Sequence, residues 1–214
     1  MPTLIHNEYI EEQLLAERQA SGLDTYDEVW DGVYFMAPDP DLQHQKVVTK
    51  LSSLLDIIAN IELHGEVFSG CNVSDRNIGW RQNYRRPDIA IFMPGTKAIF
   101  HQAHTQGGPD FAVEVCSPKD RTWDKLDFYA KVNTRELLII DRNPWVITLL
   151  RLMDGELRKV GASSLENKTT FESATIPLSF QLVRGENGDP EIFIRHLRDD
   201  RIWRVPMVGP QLNS

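Results

Sequence analysis

The sequence predicts an α/β protein: a mixed central β-sheet flanked by α-helices. Three observations point there. PDIAIFM (87–93) and DFAVEVC (110–116) are nearly continuous apolar runs, as in strands covered on both faces. Segments 41–60 and 121–133 carry apolar residues at three- and four-residue steps, the period of an amphipathic helix. ELLIID (136–141), WVITLLRL (145–152) and ELRKV (156–160) then follow as further strand-like runs. Such an order layers helices on a sheet.

The elements follow in chain order. Residues 7–20 read as a short amphipathic helix that ends near Gly22. EVWDGVYFM (28–36) reads as two strand pieces around an Asp31-Gly32 turn, and Pro38 and Pro40 stop the run. In the helix at 41–60, His44 shares the apolar stripe of Val47, Val48, Leu51, Leu54, Leu55 and Ile58. After Gly65, EVFSGCNV (66–73) is a strand candidate. FHQAHTQGG (100–108) reads as an exposed loop, with His101 and His104 only remote metal-ligand candidates. Asp120 is placed to cap the helix at 121–133, and Asp154-Gly155 marks a hairpin before the last of the strand-like runs. Beyond residue 161 the pattern weakens; TIPLSFQL and EIFIRHL each add a strand or a helix, and the Pro-rich end reads as a tail. Three segments are expected: an N-terminal helical piece (1–23), the main domain (24–160), and an extension (161–214) packed on that domain.

Composition narrows the function classes. The 214 residues, 41% apolar and 25% charged, are enough for a buried core without staples. No apolar run is long enough for a transmembrane helix, and the N-terminus lacks a basic start followed by an apolar stretch, so a cytoplasmic protein without membrane partners is expected. Two cysteines, Cys71 and Cys116, make no disulfide framework and fit a reducing compartment. With 23 Lys+Arg against 31 Asp+Glu, the net charge of −8 argues against broad non-specific affinity for nucleic acid. It leaves room for a local basic cleft: Arg81, Arg85 and Arg86 form one cluster, and Lys119, Arg121 and Lys125 another.

The informative oddity is acid inside the most apolar strands. Asp88 opens one, and Glu114 stands in the middle of the other. A charge in a covered strand is costly unless it is paired or binds a metal. By strand alternation Phe111, Val113 and Val115 share one face, while Ala112, Glu114 and Cys116 share the other, with small neighbours leaving room beside the acid. Two adjoining carboxylates suit Mg²⁺ or Mn²⁺, which takes oxygen ligands, polarises a phosphate and activates water. The competing reading pairs both acids with Arg or Lys at a solvated edge. On the next helix Lys125 shares a face with Phe128, Tyr129 and Val132, aimed inward where it can stabilise negative charge; the plainer alternative is a Lys whose stem packs while its ammonium reaches water. Glu28 and His44 are supporting candidates, and Asp110 reads as a strand-boundary residue.

These residues resemble a known family. EVWDG (28–32), Met36-Ala37-Pro38 with His44-Gln45, RRPDIAIF (85–92), GPDFAVEVCSP (108–118) and DKLDFYAKVNTRELLIID (124–141) are similar, in order and spacing, to the Uma2 family, also called DUF820, of the PD-(D/E)xK nuclease superfamily. The resemblance spans about residues 24–160. It implies a restriction-endonuclease-like fold, a divalent metal held by Asp88 and Glu114 with the Val115 carbonyl as a further ligand, and a catalytic trio of Asp88, Glu114 and Lys125. The superfamily's Glu-x-Lys would put Lys at 116, where Cys116 stands; the Uma2-like pattern moves it to Lys125. The acid often found after the family's Asp-Gly turn is here Val33.

Two functions follow as expectations. One is a Mg- or Mn-dependent endonuclease hydrolysing phosphodiester bonds, with DNA as the expected partner; a homodimer would supply two sites for two strands. The other, motivated by Cys116 and the acidic balance, is an inactive nuclease fold serving as a nucleic-acid-binding or assembly module. DNA against RNA, and any sequence preference, are not written in these residues.

Overall fold

The computed structural model describes residues 8–117 and 121–208. Helix α1 (Glu8–Ser21) leads to a hairpin of β1 (Glu28–Trp30) and β2 (Val33–Phe35). Asp31 (φ 48°) and Gly32 (φ 86°) both take left-handed backbone there, the conformation a two-residue hairpin turn requires and Asp-Gly accommodates. Helix α2 (Leu42–Leu55) starts where the Asp41 carboxylate accepts the His44 N–H at 2.7 Å, and it continues as a π-helical segment, Asp56–Glu62.

The rest of the chain is mostly strand. It runs β3 (Glu66–Ser69), β4 (Val73–Ser74), β5 (Tyr84–Arg85), β6 (Ile89–Phe92), β7 (Ile99–Phe100), β8 (Thr105–Gln106) and β9 (Phe111–Val115). A 3₁₀ turn, Thr122–Lys125, then leads into α3 (Leu126–Lys131). After it come β10 (Glu136–Arg142), β11 (Trp145–Met153), β12 (Glu156–Ser164), β13 (Phe171–Glu172), β14 (Leu178–Arg184), β15 (Pro190–His196) and β16 (Ile202–Pro206).

Three sheets result. The central one has the order β12-β11-β10-β9-β6-β3, with β9 and β10 parallel and its other neighbours antiparallel. Parallel neighbours need a crossover, and α3 makes it, which lays the 3₁₀ turn and α3 over β9. A second sheet of short strands runs β2-β1-β5-β4-β8-β7, and β13–β16 form an antiparallel third.

The alternation expected at 111–116 is what the two cores display. Phe111, Val113 and Val115 pack in the larger core with α2 residues Val47, Leu51 and Leu55 and with Leu178, Phe180 and Ile194 of the third sheet. Ala112 and Cys116 pack in the smaller core with Phe128, Tyr129, Val132 and Leu137. Glu114 therefore sits on the side that α3 covers.

Three local expectations differ from the structure. EVFSGCNV is not one strand: the chain turns at Gly70 (φ 70°) and divides it between the central and second sheets. FHQAHTQGG is not an exposed loop: β7 pairs with β8, and His104 is buried with its ring stacked on Trp80 at 4.6 Å. The Pro-rich end contains β16, and Met207 is fully buried; residues 209–214 lie outside the described residues, as do Lys119 and the expected cap Asp120.

Glu136 fastens the third sheet to the central one. It is buried, and its carboxylate takes Arg151 Nε at 2.7 Å, the Ser173 hydroxyl, and the N–H groups of Ala174 and Thr175 at 3.0 and 3.1 Å. Truncation strands a buried hydroxyl and backbone donors. Glu136→Ala is expected to cost about 3 kcal/mol of unfolding free energy, read from the urea midpoint.

Candidate active site

Asp88 stands just before β6, and the β6–β9 register (Ile89 opposite Val113) sets it across from Glu114. The Asp88 carboxylate is held at both oxygens. Val115 N–H donates to Oδ2 at 2.7 Å, and His44 Nε2 lies 2.9 Å from Oδ1. His44 reaches it from the first turn of α2, in keeping with its place on the apolar stripe. Its other ring nitrogen is 3.4 Å from the Ser117 hydroxyl.

Glu114 is almost enclosed, its side chain 5% exposed. Lys125 Nζ donates to both of its oxygens, at 3.1 and 3.2 Å. The Tyr129 hydroxyl donates to Oε1 at 2.5 Å. Lys125 and Tyr129 are four residues apart, one helical turn, so the crossover that brings one over Glu114 brings both. Lys125 is buried, and its ammonium ends on carboxylates.

The third acid arrives from the second sheet. Glu28 on β1 accepts Lys125 Nζ at 2.9 Å and Arg86 N–H at 2.7 Å on Oε1, and the Trp30 indole N–H at 2.7 Å on Oε2. Lys125 thus bridges carboxylates from two sheets. Glu28 and Glu114 share this ammonium, and Glu114 also feels the charge of Asp88. Burial, reinforced by the charges of Asp88 and Glu28, pushes the Glu114 carboxyl up to about 8, against the downward pull of Lys125. Burial and the neighbouring Glu114 charge push the Tyr129 phenol well above its ordinary value, so it remains a hydrogen-bond donor.

All six residues singled out from the sequence thus fall in one neighbourhood: Asp88, Glu114, Val115, Lys125, Glu28 and His44. Cys116 is buried, and its backbone N–H serves the sheet by donating to Ile140 at 2.9 Å; the ammonium that Glu-x-Lys would put on the strand comes from the crossover turn instead. Tyr129 was visible only as a packing residue, since its hydroxyl partner depends on how the crossover seats. Arg142 gave no signal. It donates to the Cys116 carbonyl (2.7 Å), Asp41 (2.8 Å) and Ser117 Oγ (3.2 Å), joining the end of β9 to the start of α2, and it holds the Asp41 carboxyl below its usual range. Asp110 is structural: it is buried and accepts Met93 N–H at 2.8 Å. His101 and His104 stack face to face at 4.6 Å.

Among the described residues no group of three or more His, Cys, Asp and Glu converges as a complete metal cage. Asp88 and Glu114 offer oxygen ligands alone, the donor set of an Mg²⁺-like ion that fills its other positions with water and substrate phosphate.

Comparison with known proteins bears on the family and the fold. The family model Uma2, described as "Putative restriction endonuclease", matches residues 8–184. Among solved structures, a protein titled "a putative nuclease belonging to DUF820" from Anabaena variabilis ATCC 29413 superposes with a TM-score of 0.50. It is 16% identical, and the match covers 62% of this chain and 75% of that one, a likeness of fold. No curated protein matches.

Proposed function

Because the chain belongs to the Uma2 family, we propose that it is a metal-dependent endonuclease that hydrolyses phosphodiester bonds of DNA. The observation that carries this reading is the contact of Lys125 with Glu114, across from Asp88, against the apolar strands β6 and β9. A buried Lys–Glu pair of this kind is a poor way to gain stability, because the desolvation of each charge offsets the attraction. It is a good way to hold charges ready for chemistry.

In this reading Asp88 and Glu114 hold Mg²⁺ or Mn²⁺, with the Val115 carbonyl as a further ligand. The ion, when bound, polarises the phosphate and lowers the pKa of a water. The protein's own side chains do the rest. His44 and Val115 N–H fix the Asp88 carboxylate, and Tyr129 fixes Glu114. Lys125 supplies positive charge where an oxygen gains negative charge during attack, and Glu28 holds its ammonium in place. The water's proton leaves to solvent, and the leaving oxygen takes one back.

The test is nicking of a supercoiled plasmid in Mg²⁺, Mn²⁺ or EDTA, beside single-stranded DNA and RNA. Cleavage is expected with either metal and none in EDTA. A folded protein that cuts no nucleic acid in either metal overturns the enzyme reading and favours a binding or assembly module.

A further inference from the structure

Arg86 is a cation beside the carboxylate site that the proposed chemistry does not use. Its backbone N–H is committed to Glu28, but among the described residues its guanidinium makes no ion pair, and its Nε is buried without a hydrogen-bond partner. The nearby acids are already engaged. Glu28 is taken by Lys125, Trp30 and the Arg86 backbone, and Asp88 by His44 and Val115.

The place of the guanidinium is built into the fold. Gly70 N–H donates to the Asp88 carbonyl at 3.1 Å, which extends the β3–β6 pairing by one row and sets Gly70 beside Asp88. A Cβ at Gly70 would stand 3.1 Å from Arg86 Nε and 3.5 Å from Nη2. The missing side chain of Gly70 is therefore the seat of the guanidinium, one strand over from Asp88. The neighbouring Cys71 thiol feels the charge: Arg86 pulls it down, although burial prevails and pushes it up to about 12. A planar cation held next to a cluster of acids, with donors not spent on them, is arranged for an anion from outside. Guanidinium forks match phosphate oxygens.

We propose that Arg86, seated over Gly70, is a phosphate-binding subsite that grips a backbone phosphate of the nucleic-acid substrate next to the one cleaved. This rests on the nuclease reading above and adds to it a substrate-positioning contact made without a metal ion.

The test uses the full chain, a labelled oligonucleotide and the variants Arg86→Gln and Arg86→Lys. KM is followed against salt; for a chain that binds without cutting, the anisotropy Kd takes its place. Arg86→Gln is expected to raise KM about tenfold. It should also make the log–log salt dependence shallower by about 0.7–0.9, the release of counterions from one phosphate contact. Arg86→Lys keeps the charge and should restore the slope but not the whole affinity. A single neutral methylphosphonate walked along the oligonucleotide should find one position that penalises wild type and leaves Arg86→Gln indifferent. Wild type that cleaves, with slope and KM unchanged in Arg86→Gln, overturns the subsite and leaves the nuclease standing. Wild type that neither cuts nor binds overturns both. Should Arg86→Gln fail to fold, Arg86→Lys with the methylphosphonate series decides, because a purely structural arginine predicts no position-specific penalty.

Discussion

Asp88→Ala is expected to abolish metal-dependent plasmid nicking while the protein stays folded. The reasons for the two halves differ. The Asp88 side chain is 19% exposed, and its removal loses two hydrogen bonds, to His44 and to the Val115 N–H. That costs about 1–3 kcal/mol, which a domain of this size tolerates. The chemistry has no such reserve: with Asp88 gone, Glu114 is the sole proposed carboxylate ligand, and it is already bound to Lys125 and Tyr129. Asp88→Asn sharpens the result, since it keeps an acceptor for Val115 N–H but removes the charge; it should melt nearer wild type and still not cut. Calorimetric titration with Mn²⁺ should show binding lost in both variants. Wild-type nicking by Asp88→Ala would remove Asp88 from the metal site.

Lys125→Met should lower cleavage by about 10²–10³-fold, the usual effect of deleting one preorganised charge from a transition state, while leaving measurable metal binding. It should also change how stability depends on pH. Methionine keeps the packed stem but strands Glu28 and Glu114 without their ammonium, and removing one partner of a buried pair costs roughly 3–5 kcal/mol when the remaining charge is ionised. The sign follows from Glu114. Its carboxyl is raised from an ordinary 4.5 to about 8 in the fold, so the folded protein holds a proton that the unfolded chain gives up. The stability tied to that proton is full below about pH 4.5 and is lost as pH rises through about 8. In EDTA, wild type should melt lower at pH 8.5 than at pH 6. Lys125→Met should fall more steeply, since the group that eases Glu114 ionisation is gone, and Glu114→Gln should flatten the slope. Metal binding demands the ionised acid, so added Mg²⁺ should raise the melting temperature more at pH 8.5 than at pH 6. An equal slope in Glu114→Gln and wild type would show that another group titrates.

Much of the fold was legible because it is written in local periodicity. The apolar runs at 87–93 and 110–116 became β6 and β9, and the stripe from His44 to Ile58 became α2 with its π-helical extension. Alternation alone placed Glu114 opposite Val113 and Val115 in facing, since a strand's two sides are set by the backbone and not by its neighbours. The failures share a cause. Gly70 reads as one residue in an apolar run, yet its left-handed turn sends the chain into another sheet. The third sheet carries an alternating pattern blurred by charged residues, and its strands become recognisable once β14, β15 and β16 pair in register.

The chemistry divides in the same way. Residue type and spacing were enough to nominate Asp88, Glu114 and Lys125 and to suggest an oxygen-ligated metal. They could not say that Glu28, ninety-seven residues before Lys125, shares its ammonium, or that Tyr129 turns its hydroxyl onto Glu114. Nor could they show that Arg86 lies over a glycine with its guanidinium unspent. Periodicity is a property of neighbours along the chain, dictated by backbone geometry. The meeting of charges depends on strand order and on the hand of one crossover, and those are settled by which apolar faces bury each other across the whole molecule.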